Sequence, residues 1–217
     1  MPLNARVASQ TARVLVVDDH AAVRSGVEAV LEGEPDLEPV GAVGRAAEAL
    51  ALARQTRPDV AIVDIQLAEG NGLALCLELK ELPHPVRVVL YSAYADGPLA
   101  LAGVIAGADG VLHKASLATE LCETVRAVAN GRAVLPPVPH AAQAMVAARL
   151  APEDMPILAM MVAGTAPDDI AKVMQLRPEE LVARRWAMVK RLSRMSTRGD
   201  GRGAAGHPEW PPGALHA

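Results

Sequence analysis

Five short aliphatic runs, each followed by a segment of helical periodicity, constrain this chain more than any other feature of it. The runs are Val14–Val17, a weaker one at Pro39–Val43, then Val60–Val63, Val86–Leu90 and Val111–Leu112. They are continuous rather than alternating, so each strand is buried on both faces, and a parallel sheet covered by helices on both sides is the economical architecture. Helices are predicted at Ala21–Glu32, Arg45–Gln55, Leu73–Glu81, Pro98–Ala106 and Ser116–Asn130. In the last, Leu117, Leu121, Val125 and Val128 fall on one stripe. Residues 12–130 thus read as an α/β unit, a doubly wound five-stranded parallel sheet. With no Phe in 217 residues, aliphatic side chains and Ala must fill its core.

Asn130-Gly131 closes the fifth helix, and Leu135-Pro136-Pro137-Val138-Pro139 cannot continue it. A linker is expected over 131–149. Beyond it, Pro152–Ala163, Pro167–Met174 and Pro178–Arg194 read as three helices with Gly164 and Leu176 in the turns. That spacing fits a small all-α helix-turn-helix domain over 150–198. A Gly- and Pro-rich segment, 199–217, reads as a disordered tail.

Charge divides along the same boundary. Residues 1–130 carry 10 Lys/Arg against 17 Asp/Glu, whereas 149–198 carry 9 against 6. Two units with different partners follow, the second partner polyanionic. Cys76 and Cys122 fall inside amphipathic helices and read as buried thiols rather than a disulfide or zinc site. No apolar run approaches the ~20 residues that span a bilayer, and Met1 to Ala12 lacks the core of a signal peptide. A cytoplasmic protein with no membrane partner is expected.

In an open parallel sheet, ligands gather at the carboxyl ends of the strands. Asp18 and Asp19 end the first strand, Asp64 ends the third, Ser92 follows the fourth and Lys114 the fifth. A glycine-rich turn after the first strand would signal dinucleotide binding, but Asp18-Asp19-His20 stands there and offers carboxylates instead. Three clustered carboxylates suit a hard divalent ion such as Mg²⁺. Asp64 would then act as a nucleophile toward phosphorus, forming an acyl phosphate, with Lys114 clamping one oxygen and the Ser92 hydroxyl donating to the attached phosphoryl group. His20 and His113 flank the site without ligating metal.

These residues, with Asp64 followed by Gly70-Asn71-Gly72-Leu73, Tyr91-Ser92-Ala93, and Gly107-Ala108-Asp109-Gly110 preceding Lys114, resemble the receiver domain of two-component response regulators, a flavodoxin-like fold. The resemblance implies that Asp19, Asp64 and the backbone carbonyl of Gln66 ligate Mg²⁺, with Asp18 assisting through water. It also implies a sensor histidine kinase as phosphodonor, and a signalling switch rather than an enzyme. Two positions depart from the family. Ala68 replaces the usual Pro four residues after the acceptor, which predicts a more mobile loop. Val111 replaces the usual aromatic three residues before the Lys, leaving Tyr94 as a substitute reporter.

Residues 150–192 resemble the four-helix DNA-binding domain of LuxR/NarL-type regulators through Leu150-Ala151-Pro152-Glu153, Ile157-Leu158, Gly164, Asp169-Ile170-Ala171, and Leu181 with Lys190-Arg191-Leu192. The resemblance implies a homodimer whose helix from Pro178 enters the major groove of DNA. Arg184, Arg185, Lys190, Arg191 and Arg194 are then the phosphate contacts, and Val182, Ala183 and Trp186 occupy the groove-facing positions. None of those three can make a bidentate base contact. Arg185 falls where the pattern expects an apolar core residue, so it either snorkels or the helix is rotated or repacked. Ala151, Ala166 and Arg177 stand at three usual N-cap hydroxyl positions. Pro156 is expected to delay the first of these helices by a turn. Six of the eight Met lie between Met155 and Met195, which suggests an adaptable core. The reading is a transcription regulator switched at Asp64; the alternative is a receiver with a degenerate output domain, acting through protein contacts or as a phosphate carrier.

Overall fold

A computed structural model describes residues 11–93 and 97–193. The strands are β1 (Ala12–Val17), β2 (Leu37–Val43), β3 (Val60–Val63), β4 (Arg87–Ser92) and β5 (Gly110–His113). All pair in parallel, in the order β2-β1-β3-β4-β5. The helices between and after them are α1 (Ala21–Glu32), α2 (Ala46–Thr56), α3 (Gly72–Lys80), α4 (Gly97–Ala106) and α5 (Ala118–Ala129). Every expected β-α unit is present, with boundaries within about two residues of expectation.

The continuous strands place alternate residues in two separate cores. Leu15, Val17, Ala61, Val63, Val88, Leu90 and Val111 pack under α2, α3 and α4. Val14, Val16, Val60, Ile62, Val89, Tyr91 and Leu112 pack under α1 and α5. β1, β3 and β4 are therefore buried on both sides, as their unbroken apolar runs require, whereas the edge strand β2 is only partly buried. One expectation fails. Leu117 is 73% exposed, because it stands at the N-cap of α5 in an extended conformation; the buried stripe begins at Leu121 and includes Cys122.

The segment after α5 is not bare linker. It contains α6 (His140–Ala147), which packs on α4 through Ala142 and Val146. A 3₁₀ turn at Pro152–Asp154 then leads into α7 (Met155–Val162), the one-turn delay expected of Pro156. α8 (Pro167–Met174) and α9 (Pro178–Ser193) follow. Ile157, Ile170, Ala171 and Leu181 form a small core, with Met160, Met161 and Met174 packed around it. Ala151 and Ala166 provide no side-chain cap. At Arg177 half of a capping arrangement survives, since the Glu180 carboxylate accepts from the Arg177 backbone N–H at 2.8 Å.

The α2/α3/α4 core does not stop at the sheet unit. Val146, Leu150, Leu158, Met188 and Val189 belong to it, and Trp186 packs against it. α9 lies on α3 and α4, and α7 on α4. The helical region is thus joined to the sheet unit by shared apolar burial, the dominant favourable term in such packing. Met195, Arg194 and the segment 199–217 lie outside the described residues, as does Tyr94.

Candidate functional site

The carboxyl edge of the sheet is built by backbone hydrogen bonds that run on past the strands. Asp18 N–H donates to Val43 O at 3.1 Å, Asp64 N–H to Val17 O at 2.7 Å, and Lys114 N–H to Ser92 O at 2.8 Å. These bonds hold three functional residues in register before any side chain acts. The Asp18 carboxylate turns back to accept from His20 N–H at 2.8 Å, and Arg24 donates to the Asp18 carbonyl at 2.6 Å. Asn71 caps α3 by accepting from Leu73 N–H at 2.8 Å and Ala74 N–H at 3.3 Å. Gly72 is obligatory: a Cβ there would lie 2.1 Å from the Asp64 carbonyl oxygen. The motif glycine therefore lets α3 start directly against the strand that carries Asp64.

Asp18, Asp64 and Ser92 are buried, at 2 to 3% exposure. The Lys114 ammonium lies 2.6 Å from Asp18 Oδ2 and 2.8 Å from Asp64 Oδ2. Burial raises the Asp64 pKa above the ordinary aspartate value, against the opposing hydrogen bonds from Lys114 and Gln66 N–H. Burial disfavours the charge on Lys114, but its bonds to Asp18 and Asp64 prevail and keep it firmly protonated. One carboxylate more than the cations can neutralise is thus held out of water, which favours recruitment of a further positive ion.

Ligand atoms from Asp18, Asp19, His20 and Asp64 all lie within 4.8 Å of one another. Asp18 Oδ2 and Asp19 Oδ1 are buried without a hydrogen bond; their nearest partners are ion-pair contacts, Lys114 for the first and His20 Nδ1 at 2.7 Å for the second. Oxygen-rich donors with spare lone pairs suit a hard divalent cation, and the cluster is consistent with a metal site. His20 is drawn closer to the acids than the sequence suggested, although its side chain is 68% exposed. His113 instead accepts from Ala115 N–H at 2.9 Å.

Two features were not read from the sequence. Tyr91 is buried and donates its hydroxyl to the Lys114 carbonyl at 3.1 Å, so an aromatic does touch the loop after β5, from β4 and on the α1/α5 side. Val111, at the usual aromatic position, is buried in the opposite core. Ala68 also has a use: its N–H donates to Asp19 Oδ2 at 3.1 Å, tying the β3–α3 loop to the acidic pair. Proline could not make that bond, so the looseness expected from its absence meets a specific restraint.

The residues expected to contact DNA are dispersed. Arg185 is buried and donates through Nε to the Ile105 carbonyl at 3.0 Å, at the end of α4. Arg184 pairs with Asp154 at 2.9 Å and Arg191 with the same carboxylate at 3.3 Å. Trp186 packs on the shared core, Val182 is half-buried, and Ala183 and Lys190 are exposed. Arg185 thus turns into the sheet unit beside Trp186, while Ala183 on the same helix stays exposed.

An all-parallel 2-1-3-4-5 sheet with carboxylates from two strand ends and a lysine from a third defines the receiver class of α/β domains. Residues 14–126 match the family described as response regulator receiver domain, and the chain belongs to that family. It is 37% identical over 123 residues to the DNA-binding transcriptional activator DevR/DosR of Mycobacterium tuberculosis, covering 57% of each chain. It is 32% identical over 120 residues to the transcriptional regulatory protein LiaR of Bacillus subtilis, covering 55% of this chain and 56% of LiaR. The match therefore spans little more than half the length of these relatives. Among solved structures, a LuxR-family two-component response regulator from Aurantimonas is similar at 30% identity and TM-score 0.55, over 64% of this chain and 99% of that one. RcsB of Salmonella enterica bound to promoter DNA aligns over 88% of this chain and 98% of its own with TM-score 0.53; at 17% identity, that likeness is one of fold. None of the described helices is long and apolar enough to cross a membrane.

Proposed function

We propose that Asp64 is a phospho-acceptor and that its phosphorylation regulates the C-terminal helical region. The observation that carries this is the buried Asp64 carboxylate, held 2.8 Å from Lys114 and beside Asp18 and Asp19 at the open edge of the sheet. Asp64 oxygen forms a bond to phosphorus while the bond from phosphorus to the donor breaks, its electron pair leaving with the donor. The product is an aspartyl phosphate. Mg²⁺, when held by Asp18, Asp19, Asp64 and the Gln66 carbonyl, supplies neutralisation of the phosphoryl oxygens. Lys114 already donates to Asp64 and keeps its proton, so it serves as a fixed cation for one of those oxygens, and Ser92 stands on the next strand to receive another. A sensor histidine kinase is the donor that this family membership supports. Incubation with acetyl phosphate and Mg²⁺ should add one phosphoryl group by intact mass; Asp64→Asn should add none, and an unmodified wild type would refute the assignment.

For the output, DNA binding by a homodimer is the reading that the relatives' names and the basic α9 support. It predicts duplex affinity that falls steeply with salt and weakens in Lys190→Ala/Arg191→Ala. A second reading, a protein-contact output or phosphate carrier, is favoured by one observation: α9 presents Arg185 and Trp186 to the sheet unit rather than to solvent. Absence of duplex binding at low salt, with and without acetyl phosphate, would select it.

A further inference from the structure

Along the seam between the sheet unit and the helical region lies a half-open cavity of about 770 Å³. That is the size of pocket that takes small organic ligands, and such pockets favour the junction of two units. Val104 of α4 forms part of one wall, and Met161, Leu181 and Val182 of the helical region form much of the other. Most of the lining is apolar. The exception at depth is Arg185.

Arg185 is 6% exposed, yet no carboxylate among the described residues lies within ion-pair distance of it. Its Nε is used by the Ile105 carbonyl; among the described residues no hydrogen bond occupies either Nη. The C-terminal end of α4 offsets part of the charge through the helix dipole, which does not amount to a counter-ion. The Nη atoms are not sealed off but open into the cavity, so an anion entering it can reach them and offset the cost of a largely buried cation. Burial accordingly pulls the Arg185 pKa down from its ordinary value. Gly107, in the left-handed region with φ +80°, leaves the space the guanidinium occupies: a Cβ there would sit 2.3 Å from Nη2.

The acids around the cavity do not fill this role. Asp109 is bound to Lys80 and to the Val88 N–H. Glu81 favours the Arg185 charge through space but is exposed and makes no ion pair with it, and Asp168 is exposed at the mouth as well. We infer that the cavity is a binding site for a small amphipathic carboxylate, whose acid group pairs with the Arg185 Nη atoms and whose apolar body lies between α4 and the α7–α9 unit. A carboxylate presents two acceptor oxygens to the planar guanidinium fork, the geometry that makes such pairs strong. The site stands on its own geometry, whatever the helical region recognises.

Calorimetric titration of the full chain with 1-naphthoate, and with 1-naphthalenemethanol as the same bicycle without the charge, tests this. Saturable binding of the carboxylate is expected, with the alcohol about tenfold or more weaker, a gap of roughly 1.4 kcal/mol or more. Arg185→Met should abolish that preference, and Thr165→Trp, which fills the mouth without touching Arg185, should weaken both ligands. No saturable binding of naphthoate at millimolar concentration, or equal affinity for the alcohol, overturns the assignment. So does a preference that persists in folded Arg185→Met. Should Arg185→Met not fold, the wild-type comparison of acid with alcohol and the Thr165→Trp result decide alone.

Discussion

The sheet edge and the α4–α9 seam both bury charge, but with opposite imbalance. At the edge, Asp18 and Asp64 share a single lysine, with Asp19 beside them, and the surplus is negative. At the seam, Arg185 has a carbonyl and a helix end for company, and the surplus is positive. The edge compensates through side chains delivered from separate strands, which only this topology brings together. The seam compensates mainly through backbone, with Glu81 contributing only through space. A buried charge without a full counter-ion is thus tolerated in two ways: by clustering opposite charges short of neutrality, or by hydrogen bonding to a helix terminus.

Four substitutions test this contrast. Gly72→Ala should have the largest effect, above about 4 kcal/mol or outright loss of folding, because its methyl collides with the Asp64 backbone rather than with a movable side chain; thermal unfolding reads it. Lys114→Met strands Asp18 and Asp64 without their cation and should cost about 3 kcal/mol. Added Mg²⁺ should restore more stability to this variant than to the wild type, as read from melting temperature against Mg²⁺ concentration. An equal Mg²⁺ response in both would show that the acids do not share one cation site.

Asp64→Asn should act in the other direction. Because the folded-state pKa of Asp64 is raised, the folded protein prefers the protonated form, and ionisation weakens the fold at every pH above that pKa. The variant should therefore be more stable than wild type at neutral pH, by about 0.5 to 2 kcal/mol. The gap should close as pH falls through the raised pKa, a window above the ordinary aspartate value of about 3.9. Denaturant titrations at several pH values check it, and a constant gap would contradict the burial argument. Smallest of all, Arg185→Met should shift stability by no more than about 1 kcal/mol, the lost carbonyl bond being balanced by removal of a buried charge. A loss as large as that of Lys114→Met would erase the distinction between the two regions.

Much of the edge was legible in the linear chain because its parts sit at strand ends, and strand ends are visible as the limits of aliphatic runs. Asp18, Asp64, Ser92 and Lys114 could be assigned to one edge from that alone. Tyr91 could not: it sits one residue before Ser92 and on the opposite face, and its bond to the Lys114 carbonyl depends on β4–β5 register. Ala68 carried a signal only as a missing proline; its bond to Asp19 spans two loops far apart in sequence. Leu117 misled for a local reason, since a stripe extrapolated one turn too far runs into the cap.

In the helical region the balance is reversed. The positions of α8 and α9 were readable from Pro167, Pro178 and the apolar spacing, because helix starts and faces are local properties. Which face of α9 meets solvent was not, because apolar area on α3, α4 and α8 competes for it, and that competition is settled by packing between elements most of which are distant in sequence. The doubly wound sheet, the order of its elements and the acidic edge are encoded locally, in hydrophobic period and strand ends. The tertiary structure alone decided that Lys114 bridges two aspartates, that Arg185 turns inward to the end of α4, and that a cavity opens beside it, since each depends on the distance between groups that the chain brings together only when folded.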